Sequence, residues 1–203
     1  MRPALPFSYP GIAGDIDRLA SQLRLLLDAA EWSAPDSVAI LNLACGRADE
    51  TGVLLSTAAP LAGRRFYLGI DLRAPEIAEA KRRWMATVST GDEINFRCGD
   101  ASRTDRMASL PAFDLIFIRH QNFWSDVPVW TRLYRNAIER MKDHGTLIIT
   151  SYFDREHELA SACLGQLGLH RVSEIRHFAS RELPDAPGKS VDRWLAAFRK
   201  ASI

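Results

Sequence analysis

The sequence has few of the residues that build metal sites or disulfide frameworks. It contains only three cysteines, Cys45, Cys98 and Cys163, in 203 residues. They lack the short spacing of zinc ligands and are too few to staple a small secreted domain. We therefore expect reduced thiols, no metal site and a cytoplasmic protein.

Long apolar segments are also missing. No run approaches the ~20 apolar residues needed to cross a bilayer, and residues 1–6 lack the apolar core of a signal peptide. The formal net charge is only +1, so there is no overall attraction to nucleic acid or to an anionic membrane. We expect neither of these partners, and the sequence leaves the oligomeric state open.

What the chain does contain is a regular alternation of apolar runs with segments of helical periodicity. Strands are predicted at 38–43, 65–70, 94–98, 113–119, 145–150, 169–178 and 191–198. Such alternation predicts an α/β fold, a doubly wound, mostly parallel sheet of seven strands with helices on both faces. We divide the chain into an irregular segment with a covering helix (1–34) and a single Rossmann-like domain (35–203).

The first strand ends in a turn that contains a single glycine, Gly46. The following helix is predicted from Asp49 to about Leu61, and strand, tight turn and helix form the first half of a nucleotide-binding unit. The next strand ends in Asp71, about 20 residues past the turn, where a carboxylate can accept hydrogen bonds from a ribose.

Four ordered segments carry a family resemblance: LNLACGRA (41–48), GID (69–71), CGDA (98–101) and FDLIFI (113–118). Together they resemble the motifs of class I S-adenosylmethionine-dependent methyltransferases. The resemblance implies that fold, including an antiparallel strand near the C-terminus, and S-adenosylmethionine as cofactor. Asn42 stands where the family has an acid, and Ala44 and Ala48 replace two motif glycines.

The resemblance also implies the positions of the cofactor site. Its expected cofactor-binding residues are Asn42, Ala44, Cys45, Gly46, Asp71, Leu72, Asp100, Ala101 and Arg119. Asp71 would bind the ribose, and Leu72 would flank the adenine. Asp100 would bind the adenine amino group or simply cap a helix, and Arg119 would bind an anionic acceptor or pair with an acid.

A polar cluster after the fourth strand supplies the candidate catalytic residues. His120 suits a general base because its ordinary pKa lies near 6.5, and Asn122 could hold the acceptor through its amide. The alternative is that these side chains only satisfy backbone groups at a strand end. Parallel strands gather such residues at one edge of the sheet, so we expect one crevice there, which also includes Ser151 and Tyr152.

The sequence thus predicts an S-adenosylmethionine-dependent methyltransferase with a small-molecule acceptor. One alternative is a protein of the same fold that binds the cofactor, or a partner, without transferring methyl groups. Another is a nicotinamide-dependent oxidoreductase. That alternative is weaker because Gly46 alone represents the three glycines of the dinucleotide fingerprint, and because Asp49 and Glu50 would repel a pyrophosphate.

Overall fold

The computed structural model describes residues 11–58, 62–84, 91–107 and 109–201. Its seven strands are β1 (Ser37–Leu43), β2 (Arg64–Asp71), β3 (Asp92–Cys98), β4 (Phe113–Ile118), β5 (Met141–Ser151), β6 (Leu169–Arg176) and β7 (Trp194–Lys200). They form one sheet in the order β3-β2-β1-β4-β5-β7-β6. Only β7 runs antiparallel to its neighbours. The predicted fold class is confirmed.

Helices cover both faces of this sheet. They are α1 (Ile12–Ala29), α2 (Thr51–Val53), α3 (Ala74–Trp84), α4 (Val127–Arg140) and α5 (Asp154–Gln166), with 3₁₀ turns at Ala101–Arg106 and Phe123–Ser125. The apolar sides of α1, α2 and α3 share one buried cluster with the sheet, and those of α4 and α5 share the other. Helix α1 contributes to the same buried cluster as β1. The division of the chain at residue 34 stays a prediction.

The burial of the central strands on both faces explains why they appear in the sequence as continuous apolar runs. In β4, Leu115 and Phe117 belong to one buried cluster, while Ile116 and Ile118 belong to the other. A strand buried on both faces must be apolar at every position rather than at alternate ones. The neighbouring strands β1 and β4 connect outward in opposite directions, so the reversal of strand order lies between them.

The helix after the glycine turn differs in geometry from the prediction. Instead of running from Asp49 to about Leu61, regular α-helix covers only Thr51–Val53 and passes into a π-helical turn at Leu54–Ala58. Gly52 and the β-branched residues nearby are weak helix formers, and Leu61 lies outside the described residues. The helix therefore begins two residues later than predicted, still beside the turn, and changes to π-helical geometry after Val53.

The described part of the chain contains neither a helix that could span a membrane nor a side-chain cluster that could hold a metal ion. None of its helices has both the length and the apolar character that crossing a membrane requires. Within the same residues, no group of three or more histidine, cysteine, aspartate or glutamate side chains is arranged to hold a metal ion.

Candidate functional site

A polar crevice of about 380 Å³ opens at the carboxyl ends of the central strands. It is lined by Ala44, Cys45, Gly46, Arg47, Asp49, Glu50, Arg73, Glu76, Arg119, His120 and Tyr152. These residues follow β1, β2, β4 and β5. The crevice therefore lies where the strand order reverses, the usual ligand position in open α/β sheets.

The turn after β1 adopts an alternating left-handed backbone. Ala44, Gly46 and Ala48 each have φ of 54°. Glycine reaches this conformation readily, whereas a side chain costs roughly 1–2 kcal/mol there. The two alanines thus keep the backbone shape that glycines favour, and the Gly46 N–H points toward the end of β2.

The Asp71 carboxylate accepts a hydrogen bond from the Gly46 N–H. Its Oδ2 accepts a hydrogen bond from Gly46 N at 2.7 Å, and its Oδ1 accepts from Arg73 N at 2.9 Å and from Arg73 Nε at 3.0 Å. Burial alone would raise the pKa of Asp71, but these hydrogen bonds from Arg73 and Gly46 lower it. The carboxylate is therefore ionised and lies directly against the glycine turn.

The side chain of Asn42 lies beneath the crevice and holds Glu50. Its Nδ2 donates to Glu50 Oε1 at 2.5 Å and to the Tyr67 hydroxyl at 2.8 Å. Its Oδ1 is buried and has no hydrogen-bond partner among the described residues. Burial raises the pKa of Glu50, while nearby Arg119 opposes that rise.

Arg119 binds Asp192, which lies two residues before β7. Arg119 Nε lies 3.0 Å from Asp192 Oδ1, and Nη2 lies 2.6 Å from Oδ2. Of the two partners that the sequence left open for Arg119, the structure shows the acid. The pKa of Asp192 is held well below its usual range, because Arg119 and His120 outweigh the effect of burial.

His120 completes this buried group. Its Nε2 lies 2.8 Å from Asp192 Oδ1 and 3.1 Å from Asp192 N. Its ring stacks on Tyr152 with 4.0 Å between ring centroids. Burial lowers the pKa of His120 despite the nearby carboxylate, so the ring is neutral near pH 7.

The structure brings together only part of the predicted site. Ala44, Cys45, Gly46, Arg119 and His120 line the crevice, and Asp71 and Asn42 are hydrogen-bonded to residues that line it. Burial also raises the pKa of the Cys45 thiol well above its usual value, which argues against a nucleophile.

The remaining predicted residues lie outside the lining. Asp100 caps the 3₁₀ turn, accepting from Ser102 N at 2.9 Å and from Ser102 Oγ at 2.7 Å, and Ala101 is buried behind it. Leu72 is 72% exposed. The side chain of Asn122 makes no capping hydrogen bond to the short turn that follows it. The roles expected for these four residues stay predictions.

Several residues of the crevice and its support were not predicted as site residues, among them Glu50, Arg73 and Asp192. Glu50 entered the sequence argument only as a helix-start acid that would repel a pyrophosphate, and Arg73 and Asp192 were not singled out. Arg73 lies two residues beyond Asp71 and could have been noticed as its neighbour. Asp192 has no local signal, since it is 73 residues from Arg119 in sequence.

No protein-family model and no curated protein matches the sequence. Solved structures do match. A TehB-like S-adenosylmethionine-dependent methyltransferase from Corynebacterium glutamicum aligns with a TM-score of 0.60 and 21% identity, covering 93% of this chain and 96% of that one. The chain has the class I methyltransferase fold.

Two further structures illustrate the spread of this fold. An S-adenosylmethionine-dependent methyltransferase from Clostridium acetobutylicum has a TM-score of 0.66 at 12% identity and covers 96% of each chain. A ribosomal protein L11 methylase from Lactobacillus delbrueckii has a TM-score of 0.60 at 14% identity, covering 90% of this chain and 79% of that one. At such identities the likeness establishes the fold and leaves the acceptor unresolved.

Proposed function

We propose that this protein is an S-adenosylmethionine-dependent methyltransferase. The observation that carries the proposal is the 2.7 Å hydrogen bond from Gly46 N to Asp71 Oδ2, inside the strand-end crevice. It joins the backbone turn that admits a nucleoside to the carboxylate that can accept from a ribose.

The charge of the crevice favours the same cofactor. Arg47, Arg73 and Arg119 line it together with Asp49, Glu50 and Glu76, while Asp71 and Asp192 are bonded to its walls. Carboxylates therefore outnumber guanidinium groups among these described residues. A ligand with a sulfonium and an ammonium suits that balance better than an anionic pyrophosphate does, which disfavours the nicotinamide alternative.

The cofactor would supply an electrophilic methyl group, and the residues would align it and accept a proton if the acceptor carries one. We assign the base role to His120, which is neutral and whose protonated form Asp192 would stabilise at 2.8 Å. Asn122 remains the proposed acceptor contact. We propose a small-molecule acceptor, since the described residues form one domain without a second unit to hold a macromolecule.

Isothermal titration calorimetry tests the cofactor class. We expect S-adenosylmethionine and S-adenosylhomocysteine to bind, and NAD and NADP not to bind. Asp71→Asn should weaken the first two by tenfold or more, because a charge-assisted hydrogen bond contributes about 1.5–3 kcal/mol. If neither sulfur compound releases heat, the proposal is wrong. If both bind but no methyl transfer follows with any acceptor, the non-catalytic alternative is favoured.

A further inference from the structure

The floor of the crevice contains a carboxylate at an unexpected position. Asn42 occupies the place on β1 where the resembled family has an acid, and its amide donates to Glu50 Oε1 at 2.5 Å. This amide therefore holds the carboxyl group of a residue eight positions later in the chain, on the other side of the turn. Glu50 lines the crevice although its side chain is only 4% exposed.

Arg119 faces this carboxylate with one edge of its guanidinium still loosely paired. Nε and Nη2 are bound to Asp192, whereas Nη1 lies 3.5 Å from Glu50 Oε2. That separation is longer than a good N–H···O hydrogen bond of about 2.7–3.2 Å. The floor therefore presents one carboxyl group and one guanidinium side by side, close but not directly hydrogen-bonded.

We propose that Glu50 and Arg119 together bind a zwitterionic amino-acid group, Glu50 receiving the ammonium and Arg119 the carboxylate. The inference rests on the proposed function, since S-adenosylmethionine ends in such a group. Buried charges are stable only when they are paired and fully hydrogen-bonded, and a zwitterion would complete the hydrogen bonding of both.

The other acids of the crevice are already engaged. Asp49 is paired with Arg47 at 3.2 Å and also with the buried Arg83. Glu76 is paired with Arg73 at 3.1 Å. Glu50 is therefore the lining carboxylate whose ionic partner is least closely bound, and Glu76 provides a matched control in the same crevice.

Calorimetry with two ligands tests the assignment. S-adenosylhomocysteine carries the amino-acid tail, and 5′-methylthioadenosine has the same nucleoside without it. We expect Glu50→Gln to weaken S-adenosylhomocysteine by at least tenfold and to change 5′-methylthioadenosine less than twofold. Glu76→Gln should leave the difference between the two ligands as in the wild type. Glu50→Asp shortens the side chain but keeps its charge. It should weaken S-adenosylhomocysteine relative to 5′-methylthioadenosine by less than Glu50→Gln does, and it replaces Glu50→Gln if that variant does not fold.

The outcomes separate this inference from the proposed function. If wild-type protein binds both ligands with equal affinity, or if Glu50→Gln weakens both equally, the function stands and the tail assignment is wrong. If wild-type protein binds neither ligand, the function and the assignment fail together.

Discussion

Arg73 donates three of the four hydrogen bonds that the Asp71 carboxylate accepts. Its N and Nε donate to Asp71 Oδ1 at 2.9 and 3.0 Å, and its Nη2 lies 3.3 Å from Oδ2, which already accepts from Gly46. A carboxylate offers about four lone-pair positions, so these four donors use them all. A ribose can reach Asp71 only if the Arg73 side chain, 58% exposed, moves aside.

Removing Arg73 should therefore strengthen nucleoside binding. We expect Arg73→Met to tighten S-adenosylhomocysteine about tenfold, because the cost of displacing a charge-assisted hydrogen bond of ~1.5–3 kcal/mol disappears. Calorimetry measures the change. Arg82→Met removes the same charge from an exposed site on α3 and should have little effect. Weaker binding by Arg73→Met alone would mean that Arg73 contacts the ligand.

The left-handed alanines of the turn give a second prediction. Ala44→Gly should stabilise the protein by up to about 1 kcal/mol, since relief of the positive φ exceeds the added chain entropy. Ala48→Gly should be close to neutral because Ala48 is fully buried and its methyl group is lost. Gly46→Ala should cost about 1–2 kcal/mol, since its Cβ would lie 3.0 Å from Arg73 Nη2. Urea unfolding measures all three, and an Ala44→Gly variant less stable than wild type would contradict the account of strain.

The Arg119–Asp192 pair should dominate local stability. Asp192→Ala leaves the buried Arg119 without its counter-ion, and breaking such a pair costs about 3–5 kcal/mol. Asp185→Ala is a suitable control because Asp185 pairs with Lys189 on the surface of the same loop, where ion pairs contribute ~0–1 kcal/mol. Chemical denaturation should show a clear loss only for Asp192→Ala, and equal losses would refute the ranking.

Glu156 predicts a pH dependence of folding. Its carboxylate accepts from Tyr152 N at 2.9 Å, and burial raises its pKa from 4.5 to about 7. A raised carboxyl pKa favours the protonated native state, so the contribution to stability is full below pH 4.5 and is lost as pH rises toward 7. The free energy of unfolding of wild type should fall relative to Glu156→Gln across that window. A constant difference between the two proteins would show that Glu156 titrates normally.

Much of the fold was predictable from the sequence because the central strands are buried on both faces. Residues 113–118 are apolar at every position except Asp114. The Asp114 carboxylate is paired with Lys142, whose Nζ lies 2.8 Å from Oδ2. The α2 helix was less predictable, because its weak helix formers are held by tertiary contacts rather than by propensity. The acids before it bind Asn42 and Arg83 instead of capping the helix.

The site was predictable only where local sequence determines it. Gly46 and Asp71 follow their strands directly, so strand recognition places them together. The pairing of Asn42 with Glu50 depends on how a turn of alternating handedness folds back, and periodicity does not encode that. Asp192 reaches Arg119 only because β7 inserts beside β5, which no pattern near residue 192 reveals.

The position of β7 has a consequence for biosynthesis. This strand lies between β5 and β6 although it follows both in the chain, and Asp192 lies two residues before it. On the ribosome, the edge of β5 stays open and the guanidinium of Arg119 stays without its carboxylate until residues 192–200 have emerged. A nascent chain therefore completes its sheet and the base of its crevice in a single late event, and before it the exposed strand edge is open to incorrect pairing.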